Sequence, residues 1–179
     1  MKRKVLLADS YREMRRAQRE ILNRDGFIIA GEAANQKEAV ELYESLRPDL
    51  LFLDIILPSM DGMNALKKIK TIDPGARVIM YSPLAEVNIV IESLIRGADN
   101  FIIKPFGAAD LIRAARGAFA EKAPLNKDIL KLIYKKYRGV YSLNQETINE
   151  IIKIARLSGT ADPAVIKFID RISGRLAVA

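Results

Sequence analysis

Five short apolar runs alternate with longer stretches of helical period over the first two thirds of the chain, and this alternation limits the possible folds. The longer stretches repeat apolar residues every three or four positions, as in 37–46, which predicts amphipathic helices. Apolar runs joined by helical crossovers are typical of strands that a parallel sheet buries on both faces. The sequence therefore predicts a doubly wound α/β fold with a five-stranded parallel sheet; a mixed sheet with an antiparallel edge strand is the alternative. The five runs are Val5–Ala8, Phe27–Ala33, Leu50–Asp54, Arg77–Ser82 and Asn100–Lys104.

A different pattern follows Lys122, where the strand signal ends. The fifth helix is expected to begin near Phe106 and to be broken by Pro124. Residues 123–179 contain three helix-like stretches with capping residues at their ends, at 126–138, 143–158 and 163–173. We therefore predict an α/β domain over 1–122 and a small all-α domain over 123–179.

The composition excludes several kinds of chemistry. The chain has no Cys and no His, which rules out thiol chemistry, histidine-dependent catalytic triads and the usual zinc sites. No apolar stretch approaches the roughly 18 to 20 residues that a membrane span requires, and the amino terminus does not read as a signal peptide. We expect a cytoplasmic protein whose chemistry uses carboxylates, hydroxyls, Lys and Arg.

Polar residues stand at the ends of four of the predicted strands. Asp9 and Ser10 follow the first strand, Asp54 ends the third, Ser82 ends the fourth and Lys104 ends the fifth. The carboxyl ends of parallel strands meet at one edge of an open sheet, so we expect these side chains to lie together. Two carboxylates, a hydroxyl and an ammonium suit a divalent cation and a phosphoryl group. Each residue alone is more often a turn former than a ligand; the combination favours a site.

These residues also carry a family resemblance. The segment LLFLDIILPSMDGM around Asp54, RVIMYS around Ser82, and GADNFIIKPF around Lys104 together resemble the receiver domain of bacterial two-component response regulators. The resemblance covers residues 4 to about 122. It implies a flavodoxin-like sheet of order 2-1-3-4-5.

The resemblance assigns roles to individual residues. Asp54 is the expected phosphoacceptor, with Ser82 as the switch hydroxyl and Lys104 as the lysine that accompanies it. Mg²⁺ is the implied cofactor, held by Asp9, Asp54 and the backbone carbonyl of Ile56, and by Ser10 weakly or through water. Phe101 takes the aromatic switch position, and the Lys104–Pro105 bond is expected to be cis. A sensor histidine kinase or a phosphotransfer protein is the expected partner, and no enzymatic activity is expected beyond autophosphorylation and autodephosphorylation.

Two positions depart from the family pattern. Ser10 stands where the family usually has a second acidic residue, and a neutral ligand there should weaken Mg²⁺ binding. Pro83 follows Ser82 where a small residue is usual, and a proline restricts the preceding backbone to extended conformations. A receiver that acts without phosphorylation is therefore the alternative to one that is phosphorylated on Asp54.

The role of the tail stays open between two classes. Residues 123–179 carry 10 Lys and Arg against 5 Asp and Glu, and Ala155, Gly159 and Val165 match a weak helix-turn-helix pattern. These features favour an output that binds DNA, with RNA less favoured. The last helix is poor in residues that read base edges, which favours a module for dimerisation or partner binding instead. In either case we expect a homodimer through the face formed by the fourth helix, fifth strand and fifth helix.

Overall fold

The computed structural model describes residues 2–58, 62–83 and 87–120, together with residues 133, 147, 149, 151, 152 and 170. Five strands alternate with five helices over the first three segments, as the apolar periodicity predicts. The strands are β1 (Lys4–Ala8), β2 (Ile28–Ala33), β3 (Leu50–Asp54), β4 (Val78–Ser82) and β5 (Asn100–Ile103). The helices are α1 (Arg12–Arg24), α2 (Gln36–Leu46), α3 (Gly62–Ile72), α4 (Val87–Ile95) and α5 (Ala108–Gly117).

The strands form one sheet in the order β2-β1-β3-β4-β5, which confirms the expected order. All four neighbouring pairs among these strands are parallel, so the alternative with an antiparallel edge is wrong. In the register, Ala8 pairs with Leu53 and Ser82 pairs with Ile103. This register brings the residues that follow β1 and β5, and the end of β3, to the same edge of the sheet.

Side chains along each strand alternate between two apolar clusters, one on each face of the sheet. On β4, for example, Val78 and Met80 lie in the cluster covered by α2, α3 and α4, whereas Ile79 and Tyr81 lie in the cluster covered by α1 and α5. β3 contributes to both clusters and is buried along its whole length. Burial on both faces explains why the strands read as continuous apolar runs.

The fifth helix is shorter than the sequence suggested. It starts at Ala108, where the Asp110 carboxylate accepts a hydrogen bond from the Gly107 N–H at 3.2 Å, and it ends at Gly117. Beyond it, Phe119 packs against Phe27 with ring centroids 6.4 Å apart. The helix therefore ends before the expected break at Pro124, because the chain turns after Gly117 and packs the partly buried Phe119 against Phe27, at the opposite edge of the sheet from the predicted site.

Six residues of the tail are described, and all six are helical. Ile133, Ile151 and Ile152 are nearly fully buried, and they belong to the same apolar cluster as the buried residues of α2, α3 and α4. The boundary at 122 and the bounds of the three tail helices lie outside the described residues. Within the described part of the chain, none of the helices combines the length and the apolar character needed to cross a lipid bilayer.

Candidate functional site

The predicted polar residues meet at the carboxyl edge of the sheet. Asp9 follows β1, Asp54 is the last residue of β3, and both carboxylates are almost completely buried, with 0% and 1% of the residue exposed. Lys104 follows β5 and is 11% exposed in its side chain. Its Nζ donates to Asp9 Oδ2 at 2.9 Å and to Asp54 Oδ2 at 2.7 Å. One ammonium therefore bridges two carboxylates, and the three groups together carry one net negative charge.

The other oxygen of each carboxylate accepts a hydrogen bond from the backbone two residues further on. Asp9 Oδ1 accepts from the Tyr11 N–H at 2.8 Å, and Asp54 Oδ1 accepts from the Ile56 N–H at 3.0 Å. Each aspartate is thus held at one oxygen by its own loop and at the other by Lys104. This arrangement fixes the orientation of both carboxylates before any ligand arrives.

Burial sets the proton affinity of Asp54. Desolvation disfavours the charged carboxylate and raises the pKa of Asp54 above its ordinary value of 3.8, and the negative charge of Asp9 acts in the same direction. The hydrogen bonds from Lys104 and from the Ile56 N–H oppose this effect, but they do not cancel it. A raised pKa means that the Asp54 carboxylate holds a proton more tightly than a solvated aspartate does.

Ser82 is the last residue of β4 and ends at the same edge of the sheet. It is fully buried, and its carbonyl accepts a hydrogen bond from the Lys104 N–H at 2.9 Å, which ties the end of β4 to Lys104. Pro83, directly after it, is exposed. Phe101 is fully buried on β5, in the cluster that also contains α4 residues. The peptide bond between Lys104 and Pro105 is cis, as expected.

Two further residues contact this group and were missed from the sequence. The Tyr81 ring lies under Lys104, with Nζ 4.6 Å from the ring centroid, and Tyr81 Oη donates to the Ala8 carbonyl at 3.1 Å. Arg15 on α1 donates to the Asp9 carbonyl and pairs with Glu32 at 3.1 Å. Tyr81 directly precedes Ser82, and that adjacency was the available signal. Arg15 shares α1 with Arg12, Arg16 and Arg19, but it is half-buried while those three are exposed.

The donor set suits Mg²⁺ although it is small. Among the described residues no group of three or more His, Cys, Asp or Glu side chains is placed to hold a metal ion. Mg²⁺ usually takes one or two carboxylates and keeps several waters, so Asp9 and Asp54 fit it without a third acid. Ser10 is half-buried between Asp9 and Tyr11, and the Ile56 backbone follows Asp54 by two residues.

Comparison with known proteins agrees with this geometry. The family model described as the response regulator receiver domain matches residues 5–116, which is more than half of the chain. The chain belongs to the response regulator receiver family. Its receiver is 40% identical over 114 residues to the chemotaxis protein CheY of Thermotoga maritima, an alignment that spans 64% of this chain and 95% of that protein.

Two other relatives extend the comparison. A nitrate/nitrite response regulator protein, NarL of Escherichia coli K12, is 28% identical over 148 residues, which spans 82% of this chain and 68% of NarL. The solved CheX-CheY-BeF3-Mg+2 complex from Borrelia burgdorferi contains a chain that is 35% identical, with a TM-score of 0.64. That match spans 66% of this chain and 90% of the Borrelia chain. The receiver fold is therefore shared with proteins from several bacterial lineages.

Proposed function

We propose that this protein is a two-component response regulator whose receiver accepts a phosphoryl group on Asp54. The main support for the proposal is that the Lys104 ammonium donates hydrogen bonds to both Asp54 Oδ2 and Asp9 Oδ2 at the buried edge of the sheet. A carboxylate beside a fixed cation is suited to attack phosphorus, because the cation compensates the negative oxygens that approach.

In the proposed reaction, a carboxylate oxygen of Asp54 forms a bond to the phosphorus of the donor. The bond from phosphorus to the leaving group of the donor breaks, and an acyl phosphate remains on Asp54. Lys104 is already within hydrogen-bond distance of Asp54 and can donate to a phosphoryl oxygen there. The buried Ser82 hydroxyl is proposed to donate to another phosphoryl oxygen. A sensor histidine kinase or a phosphotransfer protein is the proposed donor, so the protein acts as a signalling switch and not as a classical enzyme.

Asp9, Asp54 and the Ile56 carbonyl would hold Mg²⁺ in this proposal, with Ser10 as a weak ligand or one that acts through water. Mg²⁺ supplies positive charge that offsets the charge of the phosphoryl oxygens. Ser10 contributes no charge, whereas the family usually has a second acidic residue at this position. Asp9 and Asp54 are then the two carboxylates that can bind the metal. We propose that the site therefore binds Mg²⁺ weakly.

The proposed consequence of phosphorylation is a change at the face formed by α4, β5 and α5. Phe101 on β5 and Ser82 on β4 belong to strands that underlie this face. This face is also the proposed surface for homodimerisation. A phosphoryl group can shift this surface only by interacting differently with two arrangements of it.

Two outputs are proposed for the tail, each supported by a different observation. Its excess of Lys and Arg supports electrostatic binding to DNA, and to RNA less. The burial of Ile133, Ile151 and Ile152 in the receiver's cluster supports a second candidate, in which the tail acts through protein contacts and does not depend on phosphate. A salt-dependent shift of nonspecific duplex DNA by the full chain favours the first candidate. Concentration-dependent association without a DNA shift favours the second. In both, we place the protein in the cytoplasm.

Intact-mass spectrometry tests the phosphoacceptor. The wild-type chain, incubated with Mg²⁺ and the small phosphodonor phosphoramidate, should gain one phosphoryl group, and Asp54→Asn should gain none. Asp49→Asn is the matched control, because Asp49 precedes the same strand at its opposite end and its carboxylate accepts from the Lys4 N–H at 2.7 Å. The proposal fails if the wild type takes no phosphoryl group or if Asp54→Asn is modified as fully as the control.

A further inference from the structure

Tyr81 combines three contacts that no other described side chain at this edge combines. The centroid of its ring lies 4.6 Å from Lys104 Nζ, and its hydroxyl donates to the Ala8 carbonyl at 3.1 Å. The Phe106 ring packs edge-on against it, with the two ring centroids 5.9 Å apart. The residue is fully buried. Lys104 and Phe106 are the residues on either side of Pro105, so the Tyr81 ring contacts the chain on both sides of this proline.

The Tyr81 hydroxyl fixes the ring relative to the acidic residues. Ala8 directly precedes Asp9, so the hydrogen bond from Tyr81 attaches the ring to the strand end that carries Asp9. The Tyr81 hydroxyl also lies 3.5 Å from Oε1 of the buried Gln18 on α1. The ring is therefore held by β1, by α1 and by the aromatic contact with Phe106, and it cannot rotate away from Lys104 without losing these contacts.

The face of the ring supplies a third partner for the ammonium. Lys104 Nζ has three donors, and two of them are directed at the Asp9 and Asp54 carboxylates. An ammonium over an aromatic face is attracted by the negative face of the ring, and more strongly where water is excluded. Lys104 is only 11% exposed in its side chain, so this attraction is little screened.

We propose that Tyr81 is a positioning residue for phosphoryl transfer that acts through Lys104. The ring keeps the flexible lysine stem directed at the carboxylates, so that the ammonium already occupies the place where phosphoryl oxygens arrive. A Leu side chain would fill much of the same space without an aromatic face, whereas a Phe side chain would keep the face and lose only the hydroxyl. This inference rests on the proposed phosphorylation of Asp54.

Initial rates of phosphoryl incorporation from phosphoramidate with Mg²⁺ test the role in catalysis. Tyr81→Leu should slow the reaction about fivefold, as expected for the loss of one partly desolvated cation–π contact, while Tyr81→Phe should stay within about twofold of wild type. Phe52→Leu is the matched control. Phe52 is a fully buried aromatic in the same cluster, 6.5 Å from Tyr81, and the structure records no contact between it and Lys104. It should lose stability without this loss of rate.

A double-mutant cycle separates positioning from general damage to the core. In a Lys104→Met background, Tyr81→Leu should produce no further slowing, because the lysine through which Tyr81 acts is gone. An equal slowing in both backgrounds, or a Tyr81→Phe variant as slow as Tyr81→Leu, would overturn the inference. Urea denaturation of every variant identifies those that are not folded under the assay conditions.

NMR of the unphosphorylated protein tests the placement of Lys104 by Tyr81 independently of phosphorylation. The ring current of Tyr81 should move the Lys104 side-chain methylene proton resonances upfield in wild type and in Tyr81→Phe, and the shift should disappear in Tyr81→Leu. If the wild type takes no phosphoryl group but shows this shift, the proposed function fails and the placement of Lys104 by Tyr81 stands. If wild-type Lys104 protons show no upfield shift, the inference fails even where phosphorylation succeeds.

Discussion

Gly62, the first residue of α3, lies so close to the backbone that carries Asp54 that no side chain fits there. A Cβ built on Gly62 would be 2.2 Å from the Asp54 carbonyl oxygen, 2.6 Å from Ile55 Cα and 2.9 Å from the Ile55 carbonyl oxygen. Ordinary van der Waals contact begins near 3.4 Å. All three neighbours are backbone atoms at the end of β3, so no rotamer change can relieve the overlap. Gly62→Ala must displace either the start of α3 or the segment that holds Asp54.

The expected cost follows from the size of this overlap. Overpacking against flexible side chains costs about 1–3 kcal/mol, and here the neighbours are rigid, so we expect Gly62→Ala to lower the free energy of unfolding by about 3 kcal/mol or more. A displacement of the Asp54 segment by about 1 Å should also slow phosphoryl incorporation by about 100-fold. Urea denaturation and intact-mass time courses measure the two effects separately.

Gly107→Ala provides the matched control. Gly107 caps α5, and the nearest atom to a Cβ there is Asp110 Oδ2 at 3.8 Å, an ordinary contact. This variant should lose no more than about 1 kcal/mol, as expected for a cap position, and should keep the wild-type rate. The reasoning is refuted if Gly62→Ala is as stable as Gly107→Ala and accepts phosphoryl at the wild-type rate.

Three further predictions concern charge, metal and the tail. Burial raises the pKa of Asp54, so the folded state binds this proton more tightly than the unfolded state does. The contribution of Asp54 to the free energy of unfolding therefore falls as the pH rises above 3.8, the ordinary pKa of this carboxyl. Asp54→Asn should therefore be more stable than wild type at pH 7, by a margin that shrinks as the pH is lowered toward 4. Urea denaturation at both pH values measures this margin. A variant that is no more stable than wild type at pH 7 would contradict the prediction. Ser10→Asp should bind Mg²⁺ about tenfold more tightly than wild type in calorimetric titration, because it adds a full carboxylate, and tighter binding by wild type would show that Ser10 is not at the site. Ile151→Ala should lower the free energy of unfolding of the whole chain by about 2–5 kcal/mol in a single thermal transition, because Ile151 is fully buried in the apolar cluster beside α2, α3 and α4. An unchanged melting temperature of the receiver would mean that the tail is independent of it.

Much of the receiver could be predicted from the sequence because its signals are local. Continuous apolar runs such as Leu50–Asp54 arise when both faces of a strand are buried, and the helical repeats between them require crossovers. Asp9, Asp54, Ser82 and Lys104 were placed at one edge because parallel strands all end on the same side of a sheet. The strand order itself came from the resemblance, and the structure confirms it.

The length of α5 and the position of Arg15 were not predictable in this way. Helical period and Pro124 suggested a longer helix, whereas the packing of Phe119 on Phe27 depends on residues 92 positions apart in the chain. The Arg15 side chain has the same spacing as its exposed neighbours on α1, and only the position of β2 brings Glu32 within 3.1 Å of it. Spacing along one helix contains no information about the strand that lies beneath it.

The sequence by itself determined which residues stand at the strand ends, because that depends on local order along the chain. Only the tertiary structure decided how they interact. Lys104 contacts Asp9 and Asp54, which are 95 and 50 residues away, and it does so over the face of a tyrosine that the sequence marked only as part of a strand. The closeness of Gly62 to the Asp54 backbone likewise appears only when α3 is packed against β3. The physical reason is that contacts between distant segments depend on strand register, helix packing and side-chain rotamers, which are settled together when the core forms.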